Sequence, residues 1–424
     1  MRATTATAAT TGATPTEPTA RTETSRTPEP PLEHLAALVG ADALPDFLEH
    51  AQGKGPYRRR LPQGAAEALF DWPRLNHALA QHRLHPPRLR LELSGADASK
   101  GVFKERRTRR GRVLQDLDPA AMNEKLRDGA TLVLDAANEL SPPLQRLCAG
   151  LSGELIASCQ ANLYACWGCS QGFDVHWDDH DLFVVQVQGR KRWAFYGFTR
   201  EHPSYRDRHA EHRKPEAPIE EIVLEPGDML YLPRGYWHAA VGTGEPTLHL
   251  TIGVTRKTGS DFLHWLADDA LSDVLARTDL PLESDDETLG ARIRVLLATA
   301  TGAHAAEDLA RRYRRHVAAS IPQRPTLSFP FLGAEGEPYA SDLRLALADG
   351  PAHLRAADRP GAFVLSHRGV EYTLAADLRR PVGMIVGGPV AFAEFETAAG
   401  PDASAFVREM LARGVFVLAP ERTA

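Results

Sequence analysis

Three side chains in this sequence could hold one metal ion: His176 and Asp178 of the triplet His176-Trp177-Asp178, and His238, which closes the stretch running from Gly227 through Pro233 and Gly235. Two imidazoles and one carboxylate make the facial ligand set that binds Fe(II) and leaves positions open for oxygen chemistry, whereas structural zinc prefers closed sets of Cys and His. The spacing has a physical reason. On an extended strand residues i and i+2 point the same way, so His176 and Asp178 face one ion while Trp177 faces outward. Glycine at 227 and 235 and proline at 233 specify a strand, a turn and a return, which delivers His238 at the start of the next strand and closes a barrel around the site. A lone histidine is more often an ordinary core or surface residue. Here that explanation would have to hold three times at once.

The elements that must position these groups are β-strands. Residues 183–189, Phe-Val-Val-Gln-Val-Gln-Gly, read as a largely buried strand ended by a glycine turn. Beyond the turn, alternation puts Lys191, Trp193 and Phe195 on one face and Arg190, Arg192 and Tyr196 on the other. A lysine that shares its face with two aromatics either snorkels to water or meets an anion; the other reading of 190–192 is a solvated charge run. Upstream, 155–164 reads as a strand bearing Asn162, which suits a hydrogen-bonded core amide as well as a site residue. On the last strand of the block His249, Thr251 and Gly253 share a face.

The segment from Gln171 to Trp193, with His176, Asp178, Gly189 and Lys191 inside it, resembles the core of the Jumonji-C-type ribosomal oxygenases, a branch of the cupin superfamily. Residues 128–134 and 144–148 resemble the strand and helix that enter that barrel, and 224–252 continues the likeness. The resemblance implies a mainly β fold with added helices: a double-stranded β-helix (cupin/Jumonji-C) barrel over 32–258, a helical dimerisation segment over 259–322 and a winged-helix domain over 323–424. It also implies a dioxygenase dependent on Fe(II) and 2-oxoglutarate. Such an enzyme uses O2 to hydroxylate a protein side chain, Arg or His of a ribosomal protein, releasing succinate and CO2. By the same resemblance Lys191 grips the far carboxylate of 2-oxoglutarate, Asn162 lies beside the iron, Thr251 touches the cosubstrate, and the chain forms a homodimer. Trp177 and His180 stand where the family more often has Leu or Tyr, a departure that bears on the choice of target.

From about residue 325 onward, short strands at 362–365 and 415–418 flank helices at 391–399 and 404–413, the order of a winged helix. That order also suits a transcription regulator whose cupin senses a small ligand. Residues 325–424, however, hold nine Arg and no Lys against twelve Asp and Glu. DNA-binding units normally carry a positive footprint, so no specific DNA binding is expected and a protein-contact or structural role is favoured. A third reading is a catalytically silent cupin that only binds metal or ligand; iron-dependent succinate formation separates it from the enzyme.

The composition fits a chain of two or three packed domains: 424 residues, 43% hydrophobic, with a formal net charge of −6. No apolar run approaches the roughly eighteen residues of a membrane span. Residues 1–31, mostly Ala, Thr, Pro and Glu without an apolar run, read as a disordered tail. Four cysteines suit a reducing cytoplasm. Cys166 and Cys169 have redox or half-zinc spacing but neither a βαβ context nor a second pair, which favours packing beside the site. Two basic clusters, 58–60 and 104–112, are either solvated loops or contacts with RNA phosphates; the second has no interleaved aromatics, so base stacking is not indicated.

Overall fold

Runs of branched and aromatic residues become strands: β1 (Tyr57–Arg60), β2 (Leu89–Leu93), β3 (Ala96–Asp97), β4 (Phe103–Arg107), β5 (Val113–Leu117), β6 (Thr131–Leu134), β7 (Ser158–Cys166), β8 (Asp181–Gln188), β9 (Lys191–Phe198), β10 (Glu220–Leu224), β11 (Asp228–Leu232), β12 (Tyr236–Gly242) and β13 (Thr247–Thr255). The structure is a computed structural model that describes residues 32–205, 207, 214–301, 306–322, 324–329, 339–340, 342–350, 352–357 and 359–419. The tail expected at 1–31 lies outside the described residues.

One sheet runs in the order β1-β11-β8-β13-β7-β6-β2-β3, a second in the order β10-β9-β12, and both are antiparallel throughout. Strand β8 is buried along all but its last residue, as a strand at the centre of a covered sheet should be. The main core gathers Leu89, Leu91, Phe183, Val185, Leu250 and Ile252 of the large sheet against Leu35, Leu38 and Leu75 and against Leu144 and Leu151 of the helix Pro142–Leu155. A smaller core joins the two sheets, with Leu182 and Val184 of β8 meeting Trp193 and Phe195 of β9 and Tyr236 of β12.

Several boundaries differ from the sequence expectation for identifiable reasons. Leu155 belongs to the helix, which stops at Ile156 in a left-handed conformation (φ 46°), so the strand bearing Asn162 starts at Ser158. His176 and Asp178 are not on a regular strand. They lie on a segment joined to β12 by isolated bridges, Gln171 to Val241 and His176 to His238. The segment 259–322 is helical but interrupted: Thr258 and Asp261 cap Gly259–Ala270 reciprocally, and after a break one short turn follows at Leu275–Arg277. Helices Asp286–Thr301 and Ala306–Ser320 complete that segment.

Toward the C-terminus, strands Arg344–Leu347, Val390–Ala391 and Phe416–Leu418 form one sheet, and Ala352–Ala356, Ala362–His367 and Val370–Ala375 form another. Helices Arg379–Val386, Phe392–Ala399 and Ala403–Ala412 pack with them around a separate core of Leu345, Phe363, Leu365, Phe392, Phe395 and Phe416. Two of these helices and two of these strands stand where the sequence placed them; the others were not read from the sequence.

Gly189 turns the chain from the large sheet into the small one and so sets where Lys191 begins β9. Its φ is +65°, and a Cβ there would sit 2.2 Å from the carbonyl oxygen of Pro246. Gly189→Ala is therefore expected to destabilise the chain by about 1–3 kcal/mol through backbone strain and forced movement of that carbonyl. Urea denaturation checks it: a midpoint equal to the parent's contradicts the geometry.

Candidate metal and cosubstrate site

Two backbone hydrogen bonds bring the separated motifs together: His176 N–H donates to His238 O at 3.1 Å, and His238 N–H donates to His176 O at 2.8 Å. The turn after Pro233 adds a third, from Gly235 N–H to Asp178 O at 2.8 Å. Gly235 makes this approach with φ +81° and with no room for a Cβ, which would lie 2.6 Å from Pro203. Arg234 N–H then donates to the carboxylate of Asp181, the first residue of β8, at 3.0 Å. The turn thus fixes both the aspartate segment and the strand that follows it.

The side chains converge as a result. Ligand-type atoms of His176, Asp178 and His238 all lie within 4.8 Å of one another. Asp178 Oδ2 is 3.8 Å from His176 Nε2 and 3.6 Å from His238 Nε2. Each imidazole is held from behind, His176 Nδ1 at 2.7 Å from Asp174 O and His238 Nδ1 at 2.9 Å from Tyr236 O. A carbonyl accepts only from N–H, so both Nδ1 atoms carry the proton and both Nε2 lone pairs face the carboxylate, the arrangement that prepares histidines as metal ligands. Burial and then the neighbouring His176 push the His238 imidazole down to about 4, against the pull of Asp178. It is therefore neutral and free to donate its lone pair at neutral pH. The donor set fits a divalent cation with open coordination positions.

A cavity of about 470 Å³ opens beside the triad between the two sheets. Lys191 and Trp193 of β9 line it, as do Asn162 and Tyr164 of β7 and His249 and Thr251 of β13. The alternation expected of β9 holds: Lys191, Trp193 and Phe195 are buried while Arg192 is exposed. Lys191 is 6% exposed and makes no ion pair or hydrogen bond among the described residues, and burial lowers its pKa below the ordinary lysine value. A desolvated cation in a cavity calls for an anion. The alternative of a solvated charge run at 190–192 does not describe Lys191, which is buried, whereas Arg190 outside the cavity pairs with Glu245 at 2.7 Å.

Asn162 lines the same cavity, but its Oδ1 accepts from Ala136 N–H and from Gln160 Nε2, each at 3.1 Å, a framework contact. Thr251 stands opposite Asn162 in the β13–β7 register. Three further lining residues went unassigned in the sequence. Tyr164 lies two residues beyond Asn162 on the same face and stacks on His249 with ring centroids 4.9 Å apart; the alternation that placed Asn162 could have found it. His249 is buried beside Lys191, and its Nδ1 has no hydrogen-bond partner among the described residues. Arg90 comes from distant β2 and is matched by Glu92 at 3.0 Å and by Asp135, so no local pattern announced it. Cys166 is buried at the end of β7 and Cys169 is exposed; both are unbonded thiols.

Two facing antiparallel sheets with a polar cavity between them and a metal-binding triad at its mouth define a jelly-roll fold of the cupin type. Residues 139–262, which include the triad and strands β7 to β13, match the JmjC domain family. The bifunctional lysine-specific demethylase and histidyl-hydroxylase NO66 of Drosophila persimilis is 29% identical over 225 residues, 53% of this chain and 32% of that protein. Ribosomal oxygenase 1 of Rattus norvegicus is 35% identical over 150 residues, 34% of this chain and 25% of that protein. The chain thus aligns with about a third or less of the length of these relatives. Among solved structures, YcfD, a ribosomal oxygenase from Escherichia coli, in complex with cobalt and succinic acid superposes with a TM-score of 0.57 at 16% identity, covering 89% of this chain and 98% of that one. A complex of the same protein with cobalt and 2-oxoglutarate gives 0.56 at 15% identity. The likeness shows that the fold extends over most of the chain.

Asp178→Ala removes the anionic member of the triad. The variant is expected to bind Mn(II) or Co(II) at least tenfold more weakly while unfolding at the parent's urea midpoint. Calorimetric titration measures this, and parental metal affinity would remove Asp178 from the ligand set.

Proposed function

We propose that this chain is an Fe(II)- and 2-oxoglutarate-dependent oxygenase that hydroxylates a protein side chain. The observation that carries the reading is Lys191, a buried cation without a partner among the described residues, in the same cavity as the triad. His176, Asp178 and His238 hold the iron, and Lys191 receives the far carboxylate of 2-oxoglutarate, where charge pairing offsets its desolvation. Thr251 and Asn162 border the cosubstrate. Bound iron and 2-oxoglutarate supply activation of O2, with succinate and CO2 as products. The protein's part is orientation and exclusion of water: Tyr164, Trp193 and His249 wall the cosubstrate half of the cavity, and the carbonyls behind His176 and His238 keep both Nε2 atoms aimed inward.

For the target we propose an Arg or His side chain of a ribosomal protein; the names ribosomal oxygenase 1 and histidyl-hydroxylase NO66 support a ribosomal setting and a histidyl target respectively. The C-terminal unit, read as a winged helix with a net negative charge, serves protein capture rather than specific DNA binding. No helix among the described residues is long and apolar enough to cross a membrane. We place the protein in the cytoplasm, where its four thiols stay reduced. The segment 259–322 shows Leu263, Leu271, Val274, Leu282 and Leu297 at 50% exposure or more, which supports its assignment as a homodimer contact.

With Fe(II) and 2-oxoglutarate the chain is expected to form succinate and to add the mass of one oxygen to a ribosomal protein. Lys191→Ala should raise the 2-oxoglutarate requirement at least tenfold, since truncating one partner of a buried charge pair costs on the order of 2–5 kcal/mol, and should leave metal affinity near the parent's. An unchanged Michaelis constant for 2-oxoglutarate would displace Lys191 from this role. Light scattering should give twice the chain mass, falling toward one chain in Leu263→Glu/Leu297→Glu; a monomeric parent would refute the dimer.

A further inference from the structure

The two basic clusters that stand out in the sequence have different fates in the structure. Arg58 and Arg60 clamp the buried carboxylate of Asp228 at 2.5 and 3.3 Å, and Arg59 pairs with Asp42 at 2.9 Å. All three guanidinium groups of 58–60 are engaged in holding β1 to its surroundings. The cluster at 104–112 is built otherwise. It occupies strands β4 and β5, which pair only with each other, in register from Phe103–Leu117 to Arg107–Val113.

An isolated two-stranded hairpin is marginal in water unless its base is anchored. Here Val102 is fully buried, Phe103 and Leu117 pack on the main core, and Asp118 N–H donates to Val102 O at 2.8 Å. The tip is ordered as well: Thr108 N–H donates to Arg112 O at 2.8 Å, and Arg112 N–H donates to Thr108 Oγ1 at 3.1 Å. Near the base, the cations are neutralised locally, Arg106 by Asp116 at 2.5 Å and Lys104 by Asp118. At the tip they are not. Arg107, Arg109, Arg110 and Arg112 are exposed, and among the described residues none of their guanidinium groups makes an ion pair or a hydrogen bond. Over 103–117 six basic residues face two acids, so this arm carries about +4 on a chain whose net charge is −6.

Four unpaired guanidinium groups on a braced, narrow arm make an anion grip, and their planar forks favour phosphate oxygens over a diffuse negative surface. No aromatic side chain stands between them and no Asn or Gln is at the tip, so neither base stacking nor base-edge reading is provided. What remains is the backbone of a structured nucleic acid. We propose that the β4–β5 hairpin grips the phosphate backbone of double-stranded RNA, without sequence preference. The choice of RNA over DNA rests on the ribosomal reading of the site; the grip itself does not.

The test uses the full chain and fluorescence anisotropy with a 20-base-pair RNA duplex, a DNA duplex of the same sequence and poly-glutamate. The parent is expected to bind the RNA duplex. The variant Arg107→Ala/Arg109→Ala/Arg110→Ala/Arg112→Ala should bind it at least tenfold more weakly, with a log–log salt slope shallower by roughly 3 to 4. The quadruple lysine variant should fall between them, because charge is kept while the fork is lost. The unfolding midpoint and succinate formation should match the parent's in both variants. Equal RNA affinity in the alanine variant, or tighter binding of the parent to DNA or poly-glutamate than to RNA, overturns the proposal. RNA binding without any succinate formation by the parent would instead sink the oxygenase reading and leave the grip standing.

Discussion

The site depends on one pair of backbone hydrogen bonds, those exchanged between His176 and His238. A metal centre needs its ligand atoms held within a fraction of an ångström, yet His176 and Asp178 lie on a segment with no regular strand structure of its own. Such a segment has many conformations available, each residue costing about 1–2 kcal/mol to fix. The exchange with His238 docks it on β12, and the bond from Gly235 N–H to Asp178 O docks it a second time two residues later. Three backbone contacts therefore do for an irregular segment what a ladder does for a strand. The side chains add the last constraint, because the carbonyls of Asp174 and Tyr236 choose the tautomer of each imidazole.

Desolvation then acts differently on each group in the cavity. It holds His238 neutral, which is what a ligand nitrogen needs, and it drives His249 the same way, with the nearby charge of Lys191 adding to the effect. On Lys191 the same burial is a penalty that no described protein group relieves. Arg90, at the cavity's other side, shows the alternative: its carboxylates are built in, and their attraction outweighs burial to raise its pKa. A fold that needed only a structural cation here would have supplied Lys191 in the same way. Among the described residues the counter-charge is missing, which favours an anionic occupant of the cavity over a neutral one.

What the sequence revealed and what it hid follow from the range of the interactions. The pair His176 and Asp178, the glycine–proline turn before His238 and the face of Lys191, Trp193 and Phe195 are patterns of a few residues, and all were legible. The extent of β7 was misjudged because Leu155 suits strand and helix equally, and the stop at Ile156 depends on a left-handed backbone that its side chain does not advertise. The sequence left Asn162 open between core amide and site residue, because its partner, Ala136, comes from a distant turn. The two basic clusters were indistinguishable as text. Only the fold shows that Asp228, far along the chain, occupies 58–60, and that nothing described occupies 107–112.

The distribution of cores explains how one chain can combine a rigid centre with outlying contact surfaces. The triad sits where the inter-sheet core of Trp193, Phe195 and Tyr236 meets the large sheet, so its geometry is tied to packed core residues. The C-terminal unit closes a core of its own, and ion pairs also reach it: Arg324 with Glu139 at 3.1 Å, and Arg315 of the helix Ala306–Ser320 with Glu371 at 3.7 Å. Exposed ion pairs of this kind contribute about 1 kcal/mol or less. Changes in the C-terminal core should accordingly spend themselves within that unit, and the same holds at the hairpin, whose tip touches no core at all. Surfaces that choose a partner can then vary while the three backbone bonds around His176 and Asp178 stay fixed.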